Sequence, residues 1–433
     1  MPDASLAGER LTKAGEAQPA TLDSEETPSR LASAVAALQV PAFRLLWLNT
    51  LSFSLANGMR MVALGWLALE LTDSPSIVGV VLFAQGIPLA LLSLPAGVWA
   101  DRFDRRMLLA ISQVVTIATT AALAALIYMD VVTTWWLLAF ASATGAMMAL
   151  GQPSRQALVP ALVGKERLLN AIVLNNMVQN LSTVAGPALA GALIAVAGSG
   201  ATFLAQAAIL SIGLPLLFAM RVPRVERTEA RTSALLDLRE GLAYVVASPL
   251  IRSLFVATAC IGIFFLGIYQ ALLPVFARDV LDVGGLGFGM LLASLGVGML
   301  IGSIFIAAKG DFARKGEVLL WSLLICSGVV LVFAISRWYA LSLLMMIGWG
   351  LCAAFFMNLT VTLIQSHTPD QLMGRVMSVQ ALALFGFGPI GTLGAGLLAD
   401  GVGAPLAASI GAVGVAVWIT TFLVTQPDLR KAV

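Results

Sequence analysis

From Arg44 to about residue 425 the chain alternates long apolar stretches with short polar punctuation. A bilayer hydrocarbon core takes about 20 helical residues to cross. Twelve runs reach that length, at 45–71, 76–100, 107–128, 134–154, 170–197, 201–220, 251–277, 285–308, 317–336, 338–364, 376–399 and 404–424. Gly and Pro recur inside them, which membrane helices tolerate because neighbouring helices and side chains satisfy the freed backbone groups. The runs are too long for transmembrane β-strands and lack their period-2 alternation. The pattern predicts an all-α integral membrane protein of twelve transmembrane helices.

The longest interruption, about 221–250, divides the spans six and six. Leu235, Leu238, Leu242 and Val245 recur there at helical spacing, which predicts a surface helix. The halves echo each other. GVWADRFDRRMLL (97–109) ends span 2 and AAKGDFARKGEVLL (307–320) ends span 8, with Asp101 and Asp311 210 residues apart. GPALAGALIA (186–195) in span 5 pairs with GPIGTLGAGLLA (388–399) in span 11, with Pro187 and Pro389 202 apart. Such repeats place a substrate site at their interface near the bilayer midplane. The expected organisation is a disordered cytoplasmic tail (1–42), a six-helix bundle (43–221), a linker (222–249), a second six-helix bundle (250–425) and a short C-terminus (426–433). The tail carries six acids and three bases within its first 40 residues and no apolar core of a signal peptide.

Composition agrees: 59% of residues are hydrophobic and 11% charged, against roughly 25% charged in a soluble domain. The basic residues set the orientation. With the N-terminus inside, the inner connections hold Arg102, Arg105, Arg106, Lys165, Arg167, the arginines of 221–239, Lys309, Arg314, Lys315 and Arg375, and the outer ones only Arg278 and Arg337. Both termini are expected in the cytoplasm, with the chain in the cytoplasmic membrane. A net charge of +2 gives no sign of a nucleic-acid partner. Cys260, Cys326 and Cys352 lie in apolar runs without a CxxC, and His367 is the single histidine, so no metal site is indicated. GxxxxGK[ST], HExxH and GxSxG are absent. Neither an ATPase, a protease, a lipase nor any cofactor-dependent enzyme is expected.

Candidate chemistry is therefore sparse. Arg60 is the one basic residue well inside a predicted span, and burying it costs a few kcal/mol even on permissive scales. It is either a structural arginine bonded to Asn57 or to helix-end carbonyls, or a cavity cation that meets an anionic or carbonyl-rich substrate. Glu70 lies near the outer mouth and reads as an interfacial charge or loop ion pair. Span 5 is polar, with Asn176, Gln179 or Asn180, and Thr183 on one face, a pattern of interhelical bonding or of a cavity wall. Asn358, Thr362 and Gln365 make a second stripe in span 10, and span 7 offers Tyr269 and Gln270. Gly186, Pro187 and Gly191 bend helix 5 and permit close approach. Asp101, Arg102, Arg105 and Arg106 are either a solvated topogenic cluster or a latch, made when a carboxylate faces a helix N-terminus and broken in another state. Asp311, with Arg314 and Lys315, is a weaker copy.

Gly97–Leu109 resembles the G-x-x-x-D-R-x-x-R-R loop signature of the major facilitator superfamily, between helices 2 and 3. VALGWLALELTDSP (62–75), LPAGVWADRFDRR (94–106), QPSRQALVPALV (152–163), NAIVLNNMVQNLSTVAGPALAGALIA (170–195) and GRVMSVQAL (374–382) resemble the branch that holds siderophore exporters and macrolide and multidrug effluxers. The resemblance implies two pseudo-symmetric bundles working by alternating access, Asp101 meeting the inner end of helix 11 when the inner side is closed, and cavity-lining positions on helices 1, 7 and 10. It also implies proton coupling, although span 4 (134–154) lacks the arginine that drug/proton antiporters often carry and Asn57 stands where relatives often have Asp. Export of a small amphipathic organic compound by a monomeric secondary transporter is the expected function. An importer, lipid flippase or uniporter on the same fold, and a non-transporting scaffold or sensor, are the alternatives.

Overall fold

The computed structural model describes residues 36–221, 234–310 and 312–425, with side chains throughout except at positions 94, 97, 98, 100–102, 165, 234–237, 424 and 425. Every regular element in that set is helical. Ten helices are long and apolar enough to cross a membrane. One of these, Glu166–Ala219, breaks at Gly198 into two spans. Pro41–Thr72, whose interior Asn49, Asn57 and Arg60 dilute its apolarity, makes the twelfth. In chain order the spans are α1 (Pro41–Thr72), α2 (Pro75–Arg102), α3 (Arg105–Tyr128), α4 (Thr134–Gly164), α5 (166–197), α6 (199–219), α7 (Pro249–Val280), α8 (Gly284–Lys309), α9 (Lys315–Ile335), α10 (Tyr339–His367), α11 (Asp370–Val402) and α12 (Ala404–Thr425). The linker helix Ala234–Ala247 stands between the halves in sequence, as its leucine spacing predicts.

Local chemistry explains the helix starts. Proline occupies the first turn of α1, α2 and α7, where its missing N–H costs nothing. Ser74 Oγ accepts from the Ile77 amide to cap α2, and Asp104 accepts from the amides of Arg106 (2.8 Å) and Met107 (3.3 Å) to cap α3. Residues 36–39, assigned by composition to the tail, form a short 3-10 turn whose Ala37 amide donates to Asn170 Oδ1 at 2.9 Å.

The expected end of span 4 moves: the apolar run stops at residue 154, but α4 continues through Pro153 and Pro160 to Gly164. Gly164 (φ 71°) and Gly198 (φ 80°) adopt the left-handed backbone that L side chains disfavour, so single glycines make the breaks on either side of α5. The extension carries Arg155 into α4, where a shorter span had excluded it.

Within the first half α1 packs on α4, α5 and α6, and α3 packs on α4 and α6. The halves meet through α2 with α11, α5 with α8, and α1 with α7. Glycines set the separation. A Cβ on Gly191 of α5 would lie 2.7 Å from the Gly285 oxygen and 2.8 Å from the Gly289 Cα of α8. A Cβ on Gly79 would lie 2.6 Å from the Thr392 oxygen, 3.3 Å from the Leu393 Cα and 3.4 Å from the Gly396 Cα of α11. In α7 three π-helical turns, Gly262–Leu266, Ile268–Leu272 and Phe276–Val280, replace regular helix. Two of them bring Gly262 and Gly267 against α11, where a Cβ on Gly391 would meet the Ile263 oxygen at 2.1 Å.

Candidate functional site: a buried cationic cavity and a one-sided closure

Arg60 sits in the middle of α1 and is 5% exposed. Its Nη2 donates to Asn57 Oδ1 one turn earlier and to Met148 Sδ of α4 at 3.0 Å, while Nη1 is buried with no hydrogen-bond partner. A small cavity opens beside it, lined by Phe53 and Asn57 of α1, Thr116 of α3, Thr144 and Met148 of α4, and Gln206 of α6. Gln206 Oε1 also lacks a partner. The structure thus brings Asn57 and Arg60 together, as their spacing predicts, and surrounds them with polar groups from three further helices.

Arg155 is a second buried cation, 6% exposed. Its Nη1 donates to Asn49 Oδ1 (2.7 Å) and Thr50 Oγ1 (3.1 Å), and its guanidinium stacks 4.4 Å from the centre of the Phe53 ring. Asn49 is held in turn: its Nδ2 donates to Gln113 Oε1 of α3 (2.8 Å) and to the Gly213 carbonyl of α6 (2.9 Å), and Gln113 Nε2 donates to the Leu210 carbonyl. Four helices therefore fix the position of Arg155. The signal was present in the sequence as Asn49, Gln113 and Arg155, but their separation along the chain hid it. Among the described residues no carboxylate offsets either arginine. Glu70, Asp73, Asp104, Asp130 and Glu166, the acids with described side chains in this half, are all exposed. Glu70 accepts from Ser199 Oγ at 2.7 Å, an interfacial role as its position suggests.

The remaining candidates lie outside this cavity. Asn176 and Gln179 of α5 are exposed, as are Asn358 and Thr362 of α10, which keep the stripe predicted for them. Asn358 Nδ2 and Thr362 Oγ1 bond only carbonyls of their own helix, at 2.8 Å each. Tyr269 and Gln270 are half-buried, with the Tyr269 ring 6.2 Å from that of Trp349. None of these six lines the cavity at Arg60. Pro187 and Gly186 pack on α1, where a Cβ on Gly58 would lie 2.8 Å from the Ser182 oxygen and 3.1 Å from the Gly186 Cα, and Gly191 faces α8.

Every described hydrogen bond between the two halves lies at one end, that of the α1–α2, α7–α8 and α11–α12 connections. Arg278 Nη1 donates to Asp73 Oδ1 (2.7 Å) and to the Leu69 carbonyl (2.9 Å), and Arg278 Nε to Asp279 (2.6 Å). Ser74 Oγ donates to Asp400 Oδ2 at 3.0 Å. Sequence reading found Arg278 only as an outer-loop charge. Its partner Asp73 adopts a left-handed backbone (φ 50°) at the end of α1, where the turn exposes the carboxylate.

At the other end the expected latch is described only in part. Arg105 Nη1 donates to the Ala157 carbonyl at 3.3 Å, and Arg106 to the Phe218 carbonyl, so both reach inner helix ends of their own half. Gly97, Asp101 and Arg102 lie in the last turns of α2 with their side chains outside the described set, and Asp311 lies outside the described residues. The linker helix docks on the second half through Glu240 with Arg375 and through Tyr244 Oη, which donates to the His367 carbonyl at 2.9 Å. His367 Nδ1 stays within its own helix end, against Ser366 and Leu363.

Residues 32–432 match the profile of a family described as transmembrane secretion effector. The chain is 26% identical to the multidrug efflux pump Tap of Mycolicibacterium fortuitum, over 80% of its own length and 86% of that protein. It is 25% identical to the staphyloferrin A transporter of Staphylococcus aureus over 80% and 86%, and 25% identical to an enterobactin exporter of Shigella boydii over 78% and 80%. Among solved structures it superposes on a variant of the nucleoside transporter NupG with TM-score 0.72, at 15% identity over 88% of this chain and 99% of the other. A bacterial homologue of the human lysosomal transporter Spinster, inward-facing and occupied, gives 0.68 at 14% identity over 91% and 96%.

Proposed function

Because the chain belongs to the transmembrane secretion effector family of major facilitator transporters, we propose that it carries a small amphipathic organic compound out across the cytoplasmic membrane by alternating access. The observation that carries this reading is the set of bonds that joins the halves at the Arg278 end. The halves are bonded and glycine-packed at the end where Arg278 meets Asp73, while Asn176, Gln179, Asn358 and Thr362 stand exposed elsewhere on α5 and α10. With both termini in the cytoplasm, as the basic residues imply, the bonded end faces outward, as suits a transporter that loads its cargo from the inside. The relatives named an efflux pump and an exporter support the direction. The cargo class is an amphipathic siderophore, drug or metabolite with electron-rich oxygens, because the unpaired Arg60 Nη1 recognises carboxylate or catecholate better than a cation.

Protons are the coupling ion, as the family resemblance implies, and the transporter works as a monomer. Asp101, with Arg102, Arg105 and Arg106, forms the inner latch, so Asp101→Asn lowers the transport rate and leaves equilibrium affinity nearly unchanged. Everted vesicles test the whole reading with a panel of carboxylate- and catecholate-bearing compounds. Accumulation that depends on an imposed proton gradient is expected. Equilibration without a gradient indicates a uniporter, and no movement of any compound indicates a scaffold.

A further inference from the structure

Two cations, Arg60 on α1 and Arg155 on α4 beside it, have no counter-ion among the described residues, and both keep unused donors. Arg60 Nη1, Arg155 Nε and Arg155 Nη2 are buried with no hydrogen-bond partner. An unpaired buried charge is costly unless water or an anion meets it. We infer that Arg60 and Arg155 form one two-cation site, which takes an acidic compound carrying two anionic groups on an apolar spacer. The inference rests on the reading of Arg60 as a cavity cation and adds the second anchor.

Placement supports it. Arg155 is bonded at the level of Thr50 and stacked on Phe53, and Arg60 is bonded at the level of Asn57. Four to seven helical residues separate those levels, about 6–10 Å at 1.5 Å per residue. Phe53 lines the cavity beside Arg60 and stacks with Arg155, so one aromatic side chain stands between the cavity and the second cation. Its ring is the surface on which an apolar spacer lies. Arg155 is held from α1, α3 and α6 through Asn49 and Gln113, so its free donors keep a fixed direction, which lowers the cost of ordering on binding. Guanidinium suits such a task because its planar fork meets carboxylate oxygens in pairs.

The full chain, purified in detergent, is titrated with adipate and with hexanoate, which share a six-carbon chain and differ by one carboxylate. Adipate is expected to bind ~10-fold tighter or more, the scale of one added charge-assisted hydrogen bond. R155Q lowers adipate affinity to the hexanoate level and leaves hexanoate within about two-fold, since one anchor remains. Unchanged adipate affinity in folded R155Q overturns the proposal. Where R155Q does not fold, the unmutated protein decides: arginines are modified with phenylglyoxal with and without adipate and read by peptide mass spectrometry. Protection of both Arg60 and Arg155 supports the two-cation site. Protection of Arg60 alone overturns it and leaves the single-cation cavity standing, and protection of neither overturns both.

Discussion

At the scale of single residues, the first half of this transporter is organised around charge without a counter-charge. Arg60 is held by Asn57 and Met148, and one of its nitrogens is left free toward the cavity. Arg60→Lys keeps the charge and loses the planar fork, so transport of carboxylate-bearing cargo should fall several-fold at matched expression, and Arg60→Gln should reduce anionic cargo more than neutral cargo. Equal transport of both classes by folded variants would remove the cavity cation from the mechanism. Asn57 and Arg60 were legible as a pair because they lie one helical turn apart. Arg155 was not, since its partners Asn49, Thr50 and Phe53 are about a hundred residues away along the chain and the apolar run of span 4 stops short of it. A second residue-scale device is Arg278, which joins the halves through Asp73 and the Leu69 carbonyl. Asp73 is largely exposed, so the pair contributes no more than about 1 kcal/mol. Asp73→Asn should therefore shift the population toward the state open at that end by up to about five-fold. Spin labels on the outer ends of α1 and α7 report it by their distance distribution, and an unchanged distribution would show the pair to be incidental.

At the scale of elements, what decides function is how closely helices of opposite halves approach. The glycine–proline run of α5 was readable as a bend with small neighbours, but the use made of each residue was not. Gly186 admits α1 within the half, and Gly191 admits α8 across the divide. A side chain at either place meets backbone, which cannot move aside as a flexible side chain can. Gly191→Leu should thus oppose the closed end by ~1–3 kcal/mol, the usual cost of overpacking. The protein should fold, reach its substrate from the opposite side, and lose most of its turnover. Cross-linking of cysteine pairs between α5 and α8 checks this, because efficient cross-linking at parental rates would mean the interface still closes. The π-helical turns of α7 belong to the same account. They lie where α7 meets Gly391 of α11, and no periodicity in an apolar run distinguishes such turns from ordinary helix.

At the scale of the molecule, twelve spans make two halves whose described hydrogen bonds to each other lie at the Arg278 end. The bilayer orientation follows from the basic residues and has its own test. In a background lacking Cys260, Cys326 and Cys352, an impermeant thiol reagent should reach a cysteine at position 200 from outside intact cells. One at position 104 should react only after permeabilisation, and the opposite pattern would invert the transporter and put the Arg278 end inside. The membrane class and the number of spans were determined by the sequence itself, because hydrophobic run length is a local quantity that the bilayer reads directly. The tertiary structure alone decided the rest: that α4 runs on to Gly164 and buries Arg155 behind Phe53, and that Arg278 finds Asp73 across 205 residues. It also decided which face of α5 meets which half. These are pairings between distant parts of the chain, and their energies depend on approach and desolvation that come into being only when the helices pack.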